Sequence, residues 1–131
     1  MIELPKDTEV NESPSGYWWI KNNILYSLGK KDAVRPAKED EEKLLEDFKK
    51  AMGNKKMCMI LDITYAKPSA REDRDRAAEE LANLVKAMAM VSESPLGRMV
   101  ANLFFGLKPP SYPVKMFSNV KDAEEWIKQY I

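Results

Sequence analysis

Met57-Cys58-Met59-Ile60-Leu61-Asp62-Ile63 (MCMILDI) is the stretch on which the fold turns. It is apolar apart from Asp62 and shows no polar alternation. A run of this kind reads as a strand covered on both faces, as in a parallel sheet. It leads through Thr64 to Lys67 into Pro68-Ser69 and then a strongly polar helical stretch. A central parallel strand hands over to its crossover helix in this way. Ligands and switches in open α/β sheets gather at the carboxyl ends of such strands. Asp62 and the residues just beyond it are therefore the first place to look for function.

Upstream, Tyr17–Ile20 (YWWI) and Ile24–Leu28 (ILYSL) are rich in strand formers. Asn22-Asn23 between them tolerates positive φ and predicts a tight hairpin. Residues 1–16 are polar and broken by Pro5, Pro14 and Gly16, so they are expected to form an arm, with one domain over 17–131. A helix precedes the key strand. Glu39, Asp40, Glu41 and Glu42 crowd its start, Lys49 and Lys50 its end, and Gly53 follows. That order suits the helix dipole and a glycine C-cap. Leu44, Leu45, Phe48, Ala51 and Met52 form its core stripe.

Downstream, Ser69-Ala70-Arg71-Glu72 reads as a capping box. The helix it opens carries Ala77, Ala78, Leu81, Leu84 and Val85 on one face. Lys86–Ser92 (KAMAMVS) is a second buried strand. Ser94-Pro95 starts a helix over 95–107, with Pro109-Pro110 stopping it. Val114–Phe117 is a short strand that Lys115 marks as an edge. Ser118 or Asn119 caps a last helix with Ala123, Trp126, Ile127 and Tyr130 on one face. The order β-β-α-β-α-β-α-β-α predicts an α/β fold with a mixed, mostly parallel sheet of about five strands and packed helices.

Composition narrows the function classes. Lys plus Arg and Asp plus Glu are 21 each, so no net charge draws the chain to nucleic acid. The start, Met1-Ile2-Glu3-Leu4-Pro5, lacks the features of a secretory signal, and no stretch reaches the ~20 apolar residues of a membrane span. A single Cys suits a reducing compartment, and a cytoplasmic location is expected. With no His and one Cys, only carboxylates remain as metal ligands, so neither a metal nor a cofactor is expected. Cys58 reads as a small buried hydrophobe, and Met57, Met59, Met88, Met90 and Met99 as core filling. Trp18, Trp19 and Trp126 read as packing anchors.

The element order, the strand ending Leu61-Asp62-Ile63 and the closing Ala123-Glu124-Glu125-Trp126-Ile127 resemble the anti-sigma-factor-antagonist-like (STAS, or SpoIIAA-like) superfamily. The likeness is closer to small stand-alone bacterial members of unknown function. It is carried by Ser94-Pro95-Leu96-Gly97-Arg98, Asn102-Leu103-Phe104-Phe105-Gly106-Leu107, Pro110-Ser111-Tyr112-Pro113, Phe117, Ala123 and Trp126, over residues 17–131. The resemblance implies a SpoIIAA/STAS-like fold and a regulatory, protein-binding role. One departure matters. The superfamily's phosphorylated Asp-Ser-Ser-Gly-like loop is replaced here by Thr64-Tyr65-Ala66-Lys67-Pro68-Ser69-Ala70-Arg71. The phosphoswitch therefore does not transfer as it stands.

Each candidate residue has two readings. Asp62 either orients a ligand or partner, or accepts hydrogen bonds from nearby backbone N–H groups. Ser69 and Thr64 are candidate phosphate acceptors. A phosphate on Ser69 would meet a helix N-terminus flanked by Lys67 and Arg71, while the simpler reading is an N-cap. On the 95–107 helix, Leu96, Met99, Val100, Leu103 and Leu107 share one face, and Phe105 points away beside Arg98. Phe105, Arg98 and Tyr112 form either a docking patch or a surface covered by a loop or the arm. Two functions stay open. One is a non-enzymatic interaction module that binds a protein partner or forms a homodimer through the 95–107 helix. The alternative is a small-molecule or lipid-binding domain, or a weak enzyme, using the crevice beyond Asp62, Thr64 and Ser92.

Overall fold

Successive side chains of a strand point to opposite faces, so a strand apolar at every position needs cover on both sides. The computed structural model describes residues 2–32, 38–65, 71–95 and 111–131. It meets that need with one six-stranded sheet between two layers. The strands are β1 (Asn11–Ser13), β2 (Gly16–Lys21), β3 (Ile24–Gly29), β4 (Met57–Asp62), β5 (Val85–Val91) and β6 (Val114–Phe117). They lie in the order β1-β2-β3-β4-β5-β6. The first two pairings are antiparallel and the last three parallel. The helices among the described residues are α1 (Lys38–Ala51), α2 (Arg71–Leu81) and α3 (Val120–Ile127). A 3₁₀ turn, Lys128–Tyr130, follows α3.

Sequential parallel strands joined by crossovers of one hand place the connecting helices on one face. The packing follows that rule. Leu44, Leu45, Phe48 and Met52 of α1 and Leu81 of α2 pack with Trp18, Leu25, Met59 and Met88. The opposite face holds Trp19, Tyr26, Ile60, Ala89 and Val91 under Ala123 and Ile127 of α3. Ala87, Ala89 and Ala123 are fully buried, and their small side chains let α3 lie close on β5. Consecutive residues serve different layers. Trp18 meets Phe48 edge to face at 5.0 Å, whereas Trp19 stacks on Tyr26 at 5.4 Å. The Tyr26 hydroxyl donates to Glu124 Oε2 at 2.7 Å and ties β3 to α3. Burial, then that carboxylate, pushes the phenol far above its ordinary range, so it stays a donor.

Local signals in the sequence explain the turns. Asn22 and Asn23 both have positive φ (53° and 62°), as a primed hairpin turn requires, and Lys21 pairs with Ile24 across it. α1 ends in a Schellman arrangement: Gly53 has φ 65°, its N–H donates to Lys50 O, and Asn54 N–H donates to Lys49 O. Of the two candidate caps on α3, Asn119 is the one used. Its side chain accepts from Asp122 N–H at 2.9 Å. β6 is an edge strand, and Lys115 lies over the Phe117 ring.

Two expectations need correction. The sheet has six strands rather than about five, because Asn11–Ser13, inside the stretch read as an arm, pairs with β2. Asn-Glu-Ser has no strand propensity; backbone pairing and the Asn11 Nδ2 bond to Trp18 O hold it there. Pro14 and Ser15 make the connecting turn, and at Gly16, the first residue of β2, a Cβ would fall 2.2 Å from Leu28 O. The second helix stops at Leu81, so Leu84 and Val85 belong to a turn and to β5 rather than to its buried face. The stretch Leu81–Val85, apolar apart from Asn83, crosses that boundary. The capping box at Ser69, and the 95–107 helix past Pro95, lie outside the described residues.

Replacing the α3 cap, Asn119→Ala, should lower the unfolding free energy by about 1 kcal/mol in urea titration, with the fold retained. No change would mean that water satisfies the Asp122 N–H equally well.

Candidate functional site

The carboxyl ends of β4, β5 and β6 form one rim. Ile63 N–H donates to Val91 O at 2.8 Å and Ser92 N–H to Phe117 O at 3.1 Å, so the ladder continues past the strands' last residues. Asp62 closes β4 on the face that α3 covers, in register with Val91. It is only 6% exposed. A buried carboxylate is tolerated when its oxygens are hydrogen-bonded. Here Oδ1 accepts from Thr64 N–H at 2.9 Å and Oδ2 accepts from Ile2 N–H at 2.7 Å. The Ile2 side chain is itself buried in the same core layer.

The neighbouring hydroxyls are similarly turned inward. Ser92 is fully buried; its Oγ accepts from Ser94 N–H at 3.1 Å and donates to Ser94 O at 3.2 Å. Thr64 Oγ1 is shut off from solvent and meets no hydrogen-bond partner among the described residues. At this rim one acid and one hydroxyl hold backbone, and neither is presented outward.

Of the other predicted residues, Tyr112 alone has a described side chain. Lys67, Ser69, Arg98 and Phe105 lie outside the described residues, and Arg71 is the first residue of α2. Tyr112 lies just before β6, at the opposite end of the sheet from Asp62. It is 8% exposed and belongs to the layer under α1 and α2, so it does not share a surface with Asp62. Burial pushes its phenol above the ordinary value. Sequence reasoning missed Ile2. The arm holds three aliphatics, Ile2, Leu4 and Val10, and nothing in the sequence singles out Ile2 as the one that is buried while Leu4 is exposed. Cys58 is 1% exposed, and burial raises its thiol, with Lys86 pulling weakly the other way. No group of three or more His, Cys, Asp or Glu among the described residues could hold a metal ion. No helix among them is long and apolar enough to cross a membrane.

This sheet, with helices on both faces, is a SpoIIAA-like fold. It is similar to the crystal structure of an uncharacterized DUF3478-family protein with a SpoIIAA-like fold from Shewanella loihica PV-4. The TM-score is 0.52 at 21% identity, over 91% of this chain and 90% of that one. Residues 18–131 match the family described as Domain of unknown function (DUF7793), and the chain belongs to it. A protein of unknown function from Arthrobacter sp. FB24 is also similar in part, at 23% identity over 85% of this chain and 97% of that one, with a TM-score of 0.31. A search of curated proteins returned no match. The family match begins at Trp18, so Ile2, which fills one of the Asp62 acceptor positions, lies outside it.

Two outcomes follow from this geometry. Asp62→Ala strands one buried and one part-buried N–H donor and should destabilise by about 3 kcal/mol in denaturant titration. Asp62→Asn should also destabilise, because its NH₂ must face one of the two donors. Exchange of the Ile2 amide, followed by NMR, should speed up in both variants. Equal stability of Asp62→Ala and the parent would refute the anchoring role. Separately, the Cys58 thiol should ignore an aromatic disulfide reagent in native buffer and react fully in urea. Rapid native labelling would mean that the strand is accessible.

Proposed function

We propose that the chain is a non-enzymatic interaction module that docks a protein partner, or a second copy, through the carboxyl-end loops and the 95–107 segment. One observation carries the reading. Both oxygens of Asp62, the acid at the position where open α/β sheets usually address a ligand, are engaged by backbone N–H groups of the chain itself. A general base there would need a free lone pair facing a substrate. Ser92 is likewise engaged with Ser94. Among the described residues at that end, the acid and the buried serine are thus taken up within the chain, which suits a docking body more than a catalyst. The regulatory character is drawn from the SpoIIAA-like fold by analogy.

The test is Phe105→Asp. Light scattering should give a mass above that of one chain, or affinity capture from the native host should retain a defined protein. The variant should keep the parent's circular dichroism and melting temperature and lose that association. A parent chain that is monomeric and captures nothing, or a variant that associates unchanged, would overturn the reading.

A further inference from the structure

At the amino ends of the parallel strands, opposite the Asp62 rim, the sheet borders a cavity of about 310 Å³. Its walls include Lys56, Val85, Lys86, Ser111, Tyr112 and Tyr130. Lys56 precedes β4 and Lys86 is the second residue of β5, while Met57 and Val85 are in register. The two cations therefore flank the starts of neighbouring strands. Among the described residues no carboxylate lines the cavity. Neither lysine has an ion pair among the described residues, whereas Lys21, Lys30 and Lys128 are held by Asp7, Glu12 and Glu125. In a chain with 21 charges of each sign, this concavity collects one sign only.

The remaining groups are matched to an anion. The Tyr112 hydroxyl has no partner among the described residues, although the residue is only 8% exposed. Ser111 adds a second hydroxyl. The wall is held in place, because Pro113 O accepts from Met88 N–H at 2.9 Å. Two ammonium groups leave one positive charge uncompensated by a single carboxylate, whose charge is −1. They suit a phosphate monoester, with a charge near −2 and three terminal acceptor oxygens. Val85, Ala82 and Tyr130 give the rest of the cavity an apolar side, and its volume lies at the lower end of small-molecule sites.

We propose that this cavity is a binding site for a small organic phosphomonoester, with Lys56 and Lys86 on the phosphate oxygens, Tyr112 donating to them, and the organic group against Val85 and Tyr130. The site is separate from the docking reading and does not depend on it.

Phenyl phosphate is a suitable probe, followed by amide chemical shifts at an ionic strength of about 0.15 M, where loose surface attraction is screened. Saturable shifts should centre on Val85, Lys86, Ser111 and Tyr112. Inorganic phosphate should bind more weakly and phenol should not saturate. Lys56→Gln with Lys86→Gln should weaken phenyl phosphate by about tenfold or more while leaving the melting temperature near the parent's. Tyr112→Phe should weaken it less. Phe105→Asp should leave it unchanged, which separates this site from the docking surface. The proposal is overturned by an absence of saturation, by shifts spread over all lysines alike, or by binding that survives loss of both lysines.

Discussion

Burial of β4 and β5 on both faces is the constraint from which the rest of the structure follows. Met59, Ile60, Met88, Ala89 and Val91 are fully buried, and each apolar side chain larger than Ala among them contributes about 1.5–3 kcal/mol by leaving water. No single layer can cover both faces. The crossovers through α1 and α2 can serve only one of them, because the strands β3 to β6 advance in one direction. The chain must then come back over the other face after β6. α3 does this, and Tyr26, Trp19 and the small residues of β5 are fitted to receive it. Ile2 adds to the same layer from the other terminus.

Most of this was legible because the decisive features are local. Two Asn residues set the hairpin, a charge gradient and Gly53 set α1, and unbroken apolar runs set β4 and β5. What escaped has a common cause. β1 is a strand only because β2 offers it a ladder, and nothing in Asn-Glu-Ser predicts pairing. The end of α2 falls in the stretch Leu81–Val85, apolar apart from Asn83, whose residues helix and strand share. Ile2 acts across 60 positions of sequence, a distance over which no pattern rule reaches.

The candidate site was legible by position more than by role. The rule that sends the eye to the carboxyl ends of parallel strands finds Asp62 correctly. It cannot say which way the carboxylate turns, since that depends on where the chain's own N–H groups fall. Tyr112 adds a second case. It was read as extending a surface patch, and it lies just before β6, largely buried in the layer under α1 and α2 and at the other end of the sheet from Asp62. Sequence position beside a turn does not give the end of the sheet that the turn serves.

The two ends of the sheet differ in how their polar groups are settled, and this bears on where the chain meets other molecules. At the carboxyl rim, Asp62 and Ser92 are engaged with backbone, so this end is fixed by internal hydrogen bonds. At the amino end, Lys56 and Lys86 stand together without a carboxylate in the cavity they line. Folding has satisfied the first set and left the second to solvent. An unpaired ammonium in water is inexpensive, so stability alone does not require an acid beside it. That tolerance is what allows an anion to be the missing counter-charge. It also means that the cavity's lysines can be changed without disturbing the core, whereas Asp62 cannot. The proposed anion site and the Asp62 anchor thus fall at opposite ends of the same parallel strands, while the proposed docking surface shares the end that Asp62 holds in place.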